Sequence, residues 1–310
     1  MASANTNYSD ILATTIESRS RKVADNVTDN NAVLKKLEMK GRIKPFSGGS
    51  KIIQELSFAE NANGGWYSGY DILPVGVSDV ISAAEFEIKQ AAVPVVISGL
   101  EQLQNAGKER MIDLMDARLS VAESTLANLI AAGIYSDGTG SGGKEIDGLD
   151  AAVAVDPSND TYGNIASTTY TFWQNSTSSS AFDATGVQGV FNDMWATLVR
   201  GMDRPDLIMV DSVMWGKYLA SLQAQQRFAS PDTGNLGFPT IKYMDADVCL
   251  DGGIGGNATS QTAYFLNTDY LHYRPHSSRN MVPLSPNKRY ATNQDAEVQI
   301  IAWAGNLTCS

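Results

Sequence analysis

The chain is poor in the residues that carry most enzymatic chemistry. Its 310 residues include two histidines and two cysteines, so general acid–base work would have to rest on carboxylates or lysine. The patterns G-x-S-x-G, H-E-x-x-H and C-x-x-C do not occur, which removes the nucleophile-elbow, zinc-protease and dithiol readings. Long apolar runs are missing too: Ala91–Ile97 and Leu129–Ile134 are among the longest, far short of the roughly 20 residues of a spanning helix. No membrane segment is expected. The opening MASANTNYSDILATT has no basic region followed by an apolar core, so a cytoplasmic product is expected. With no export signal, Cys249 and Cys309 are expected to be free thiols. Positive charge is also in deficit. A net charge of −11 argues against a polyanion as the main ligand, because nucleic-acid affinity comes largely from neutralising phosphates. Incidental contact with nucleic acid stays open.

What is present suffices for a core. Hydrophobic residues make up 43% of the chain and charged ones 18%, which suits a globular protein long enough for two lobes. Residues Asp10 to Lys40 predict two helical pieces, one on Ile11, Leu12, Ile16 and Val23, the other NAVLKKLEMKG, capped by Asn31 and stopped at Gly41. Both are sparsely apolar and read as a surface arm lying on another body, in this chain or a neighbour. From Ile43 the period becomes two. SKIIQELSF sets Ile52, Leu56 and Phe58 on one face with Gln54, and AEFEIKQAAVPVVI sets Phe86 and Ile88 opposite Glu85, Glu87 and Lys89. Two long strands joined by a long loop make a hairpin that is marginal alone and needs a surface to lie on.

The strongest helix spans Leu100 to Ala132, with Met111, Met115, Leu119, Ala122, Leu126, Leu129 and Ile130 as one stripe and Gly133 at its end. Residues Asp137 to Asp183, rich in Gly, Ser, Thr, Asn and Asp, read as loops with short strands. Beyond them come a helix from Thr185 to Gly201, a buried strand DLIMVD, and a second helix SVMWGKYLASLQAQQRF capped by Ser212. The strand-like IKYMDADVCL and TAYFLNTDYLHYRP and a final strand EVQIIAWAG follow. This mixture of helices and strands predicts an α+β or α/β lobe.

Three stretches invite a chemical reading. GTGSGGKE, Gly138 to Glu145, matches G-x-x-x-x-G-K but places Glu145 where a magnesium-binding hydroxyl belongs, and it follows a helix when it should follow a strand. A flexible helix-ending loop is the better reading. His272 and His276 have a helical metal spacing, but Pro275 between them breaks a helix and no third ligand is close in sequence. Asp147, Asp150, Asp156 and Asp160 lack the ligand spacing of a calcium loop and read as solvated turns. No catalytic residue, cofactor or metal is therefore assigned, and the chain is not expected to be an enzyme.

FAENANGGWYSGYDIL, Phe58 to Leu73, is different. It sets Trp66, Tyr67 and Tyr70 among glycines and asparagines in the loop between the two hairpin strands. On the residues alone it is a candidate ligand platform, a carbohydrate-binding or adhesion loop in which the three rings stack on sugars.

Arm, hairpin, long helix and second lobe, in that order, resemble the major capsid proteins of tailed bacteriophages, whose fold is named after phage Hong Kong ninety-seven. TYGNIASTTYTFWQN (161–175), RPDLIMVDSVMWGKYLASLQAQQRF (204–228), TAYFLNTDYLHYRPHSSRNMVPL (262–284) and EVQIIAWAGNLTCS at the end are similar in wording to phage coat sequences. The resemblance implies an α+β capsid fold with residues 1–41 as N-terminal arm, 42–97 as extended loop with its strands, and 98–180 as peripheral domain with a spine helix. It further implies 181–270 as axial domain and 271–310 as C-terminal strands returning to the peripheral domain. It implies pentamers and hexamers forming an icosahedral shell around double-stranded DNA bound without sequence specificity, and it makes Phe58, Trp66, Tyr67 and Tyr70 candidate inter-subunit contacts, since Trp and Tyr are enriched where surfaces are buried against a partner; the alternative remains the carbohydrate-binding or adhesion loop. Portal, scaffolding or decoration proteins would be partners, and a virion assembled in the bacterial host cytoplasm would be its location. Because the chain begins almost at the arm, a separate scaffolding protein, or none, is expected. Some relatives carry a Lys–Asn isopeptide cross-link; Lys51 lies in the hairpin, but its surroundings do not match that chemistry and none is assigned. Ala166-Ser167 stands where related coats often have a charged pair.

Overall fold

The computed structural model of the chain describes residues 31–104, 108–180, 186–222, 240–252, 256–284, 289–290 and 295–310. The first expected helical piece, on Ile11 to Val23, lies outside them, as do the side chains of Met111, Met115 and Leu119 and the last residues of the expected helix 212–228.

Helix α1 (Ala32–Met39) starts at the expected cap: the Asn31 side chain accepts from the amides of Val33 and Leu34 at 3.0 and 3.2 Å. Expected to lie on the surface, it instead has Val33 and Leu37 fully buried in the main core of its own chain. Lys36 and Lys40 then reach Asp247 and Asp206 at 2.8 and 2.9 Å. Strands β1 (Lys51–Ser57) and β2 (Ile81–Glu87) pair antiparallel from Lys51↔Glu87 to Ser57↔Ile81, with Ile52, Leu56, Ala84 and Phe86 buried on one face. The run expected to continue as one strand breaks at Ile88, and β3 (Lys89–Ser98) joins a different sheet. Lys89, which strict alternation puts in solvent, is consequently buried: its ammonium donates to the Gly143 carbonyl at 2.8 Å and lies 3.6 Å from Asp147.

The long helical region is described as α2 (Gly99–Gln104) and α3 (Lys108–Gly133). Arg118 clips the two together, giving two hydrogen bonds to Glu101 at 2.8 and 3.1 Å and one to the Val96 carbonyl. Ala122, Leu126 and Ile130, four residues apart, are buried, whereas Leu129 is 53% exposed. The described part of the stripe is therefore narrower than expected: at about 100° per residue Leu129 lies about 60° from Leu126 at its centre, on the edge that meets solvent.

After the short strands β4 (Thr161–Tyr162) and β5 (Ile165–Ala166) come α4 (Val187–Leu198), β6 (Leu207–Val210) and α5 (Ser212–Leu222). Asp211, and not Ser212, caps α5: its carboxylate accepts from Val213 and Met214 at 3.2 and 2.9 Å and also from Gln261 at 2.8 Å. Strands β7 (Thr240–Tyr243), β8 (Ala246–Leu250) and β9 (Ala263–Leu266) complete a four-stranded sheet in the order β7-β8-β6-β9, in which only β6 and β8 are parallel. All four residues of β6 are buried. Ile208 and Val210 pack under α4 and α5 with Phe191, Trp195 and Tyr218, while Leu207 and Met209 face the main core. One short strand thus serves two cores, which explains its unbroken apolar run.

TAYFLNTDYLHYRP is not one strand. It divides at Asn267–Tyr270, leaving β9 in the first sheet and β10 (Leu271–Pro275) in the second. There, after the two-residue strands β11 (Val282–Pro283) and β12 (Arg289–Tyr290), the 14-residue β13 (Ala296–Cys309) pairs antiparallel with β3, β10, β11 and β12. Trp303 of β13 stacks on Tyr273 of β10 at 5.9 Å in the main core, with Leu126, Ile130 and Ile134 of the α3 region in the same cluster.

Candidate assembly surface

The hairpin finds the surface it needs within the chain. Ile52, Leu56, Ala84 and Phe86 form a third apolar cluster with Phe46, Tyr162 and Ile165, so the β1–β2 face lies on the β4–β5 turn. Phe86 meets Tyr162 edge-on at 5.0 Å, and Trp173 donates its indole N–H to the Tyr162 carbonyl at 3.0 Å. The approach is close because Gly163, at φ +59°, has no side chain: a Cβ there would sit 2.9 Å from Ala84 Cβ and Phe86 Cζ, and its carbonyl accepts from the Glu85 amide at 2.9 Å. Ser167 is buried and spends its hydroxyl on the Asp160 carbonyl at 2.9 Å.

Beyond Ser57 the chain loses this support. The segment 58–80 forms no helix or strand, and its Trp66, Tyr67 and Tyr70 are 106%, 67% and 105% exposed. Ile72, Leu73, Val75, Val77 and Ile81 are also exposed. Of the four candidates, Phe58 is already engaged, stacked on Phe172 at 4.9 Å and 21°. Residues 52–88 also contain six carboxylates and no lysine or arginine. At the base, Lys51 pairs with Glu85 at 2.6 Å, which raises the lysine pKa through that hydrogen bond and the carboxylate charge.

The stretches that invited a chemical reading are occupied by structural bonds. In GTGSGGKE, Glu145 folds back to accept from Ser136 and Ser141 at 2.8 and 3.2 Å, filling with a carboxylate the space a phosphate would need. His276 lies edge-on to Phe46 at 5.0 Å and accepts from the Ser278 amide, whereas His272 is buried. Among the described residues no three His, Cys, Asp or Glu side chains gather as metal ligands, and no helix is long and apolar enough to cross a membrane. Cys249 and Cys309 are free thiols, pushed up to about 12 and about 11 by burial. Asp147 and Asp150 are more than solvated turns. Asp147 accepts from Asn306 of β13 at 2.7 Å, and Asp150 accepts from Thr259 and from Tyr264 of β9. No local signal announces these bonds, since each spans more than 100 residues.

The sequence matches no protein-family model and no curated protein. Solved structures do resemble it. A chain of the cyanophage A-1(L) capsid asymmetric unit superposes with a TM-score of 0.64 at 14% identity, covering 94% of this chain and 93% of that one. The capsid of the native GTA particle gives 0.58 at 12% identity, with 94% and 91% covered. A Gordonia phage Cozz structure gives 0.54 at 12% identity, with 94% and 86% covered. Nearly the whole chain is matched in each case, and it has the α+β fold of phage capsid subunits.

Proposed function

We propose that the chain is a structural major capsid protein that self-assembles through pentamers and hexamers into an icosahedral shell around viral double-stranded DNA, without enzymatic activity. The fold supports this reading, and the observation that carries it is the loop 58–81. Eight large apolar side chains stand in water there, from Trp66 to Ile81. Soluble monomers seldom expose such a contiguous patch, and where one exists it marks a binding surface. A neighbouring subunit is the partner a shell supplies. Closed symmetry repeats one modest contact over many copies, so that each interface can be weak while the whole is stable.

In that shell residues 1–41 serve as arm, 42–97 as extended loop, 98–180 as peripheral domain, 181–270 as axial domain around the capsomer centre, and 271–310 as returning strands. Portal, scaffolding or decoration proteins join it, assembly takes place in the bacterial host cytoplasm, and the product resides in the virion. Packaged DNA is held without sequence specificity, in keeping with a net charge of −11. The test is expression of the chain, with and without a scaffold, followed by electron microscopy of the lysate. Rings, sheets or shells are expected; a product that stays monomeric under every condition overturns the reading.

A further inference from the structure

One corner of the second sheet gathers positive charge. The segment 42–46 runs parallel beside β10: the Tyr273 amide donates to the Arg42 carbonyl at 3.2 Å, and the Lys44 amide donates to the Tyr273 carbonyl at 2.9 Å. Ile43 and Tyr273 in this register belong to the main core. Arg42 and Lys44 therefore leave from the opposite face, the one that also carries His272 and Arg274. Carboxylates do not balance this group. Arg42 pairs with Asp269 at 2.9 Å, but Arg274 meets only the Gln54 amide oxygen at 3.4 Å, and the exposed Lys44 has no carboxylate within ion-pair distance among the described residues.

Burial makes the imbalance informative. His272 is 3% exposed, and its Nδ1, together with Nε of Arg42 and Nε of Arg274, is buried without a hydrogen-bond partner. Buried polar groups in native proteins almost always have partners, so two guanidinium Nε–H groups on adjacent strands, beside a His272 Nδ1 that donates in one tautomer, indicate a missing acceptor. The local field agrees: burial first, then the charges of Lys44, Arg42 and Arg274, lower the His272 pKa to about 4. Guanidinium and ammonium donors are suited to the oxygens of a phosphate or carboxylate group.

We propose that Arg42, Lys44, His272 and Arg274 form a binding site for a single oxyanion. Its chemistry has two sources. One is free phosphate; the other is a carboxylate side chain of a second copy, and the cation-free segment 52–88 exposes Glu60, Asp71 and Asp79.

The site is tested by titrating inorganic phosphate into the unassembled full chain, with sodium chloride at matched ionic strength as the blank, and following heat and melting temperature. Saturable binding of one phosphate with a raised melting temperature is expected. Lys44→Gln and Arg274→Gln should each weaken it at least tenfold, and Lys44→Gln, at an exposed position, should melt normally in chloride. Absence of saturable binding to the wild type, or binding that both substitutions leave unchanged, overturns the proposal whether or not shells form. Repeating the titration on assembled particles identifies the source. One phosphate per subunit still bound means a free ion, and loss of binding on assembly means that a second copy's carboxylate has taken the place.

Discussion

Tyr264 of β9 donates its hydroxyl to the carboxylate of Asp150, 114 residues earlier in the chain. Beside it Tyr135, just after α3, is buried near Asp251, just after β8, whose charge acts on it, and the two tyrosine rings lie 5.9 Å apart. Two phenols and two carboxylates from distant parts of the chain thus meet at one junction. Burial raises the pKa of both phenols and of Asp251, so the phenols stay protonated and able to donate.

Tyr264→Phe removes one donor from this junction and leaves the Asp150 oxygen without it, although Thr259 still donates to the same carboxylate at 2.9 Å. A hydrogen bond to a charged acceptor contributes about 1.5–3 kcal/mol, and a loss in that range is expected in urea denaturation of the unassembled chain. An unchanged midpoint would mean that the junction is held by ring packing alone.

Gly163→Ala forces a side chain into the left-handed region and against Ala84 and Phe86. The backbone strain costs about 1–2 kcal/mol and the overpacking about 1–3 kcal/mol more. Stability should fall by that sum, and exchange of the Glu85 amide, which donates to the Gly163 carbonyl, should accelerate. Slow exchange at Glu85 in the variant would show that the turn tolerates a side chain.

Trp66→Ala and Phe58→Ala should separate assembly from folding. Trp66 is fully exposed, so its removal is expected to leave the monomer's melting unchanged within about 0.5 kcal/mol. As an interface anchor worth about 2 kcal/mol or more, its loss should raise the concentration needed for assembly at least tenfold, read by light scattering. Phe58 stacks on Phe172, and its truncation should lower monomer stability. Normal shells of unchanged heat resistance from Trp66→Ala would show that the ring is merely exposed.

His272 gives the stability a pH slope of known sign. Its pKa is about 4 in the folded chain against an ordinary 6.5. Between those values the unfolded chain binds a proton that the native chain does not, so stability rises with pH there. The contribution is fully present above pH 6.5 and is lost as pH falls towards 4. In chloride buffers the wild type should therefore lose stability across this window more steeply than His272→Gln. Parallel curves for the two would place the proton uptake elsewhere.

Local rules read much of this fold from the sequence. The Asn31 cap, the inward face of β1, the helix at Val187 and the buried strand at Leu207 all rest on neighbours within one or two turns. What they miss is the change of partner. Alternation runs on through Ile88 as if nothing happened, yet the strand changes sheets there, and Lys89 is buried because of Gly143, 54 residues away. The break at Asn267–Tyr270 escapes for the same reason. Within the candidate site, composition alone indicated an exposed aromatic loop. The stack of Phe58 on Phe172 and the unpaired nitrogens beside His272 depend on segments more than 100 residues apart in the chain.

Strand β13 has a further consequence, in the order of events during synthesis. Its described partners all precede it in the chain, and β3 does so by about 200 residues, so β3 leaves the ribosome long before the strand that pairs with it is made. That pairing closes last and is of the slow, long-range kind. Until then β3 has an open edge, and the loop at Trp66 is already exposed. Open edges together with apolar surface are where nascent chains stick to one another, so yield should depend more on temperature and chaperone supply during synthesis than on the stability of the finished subunit.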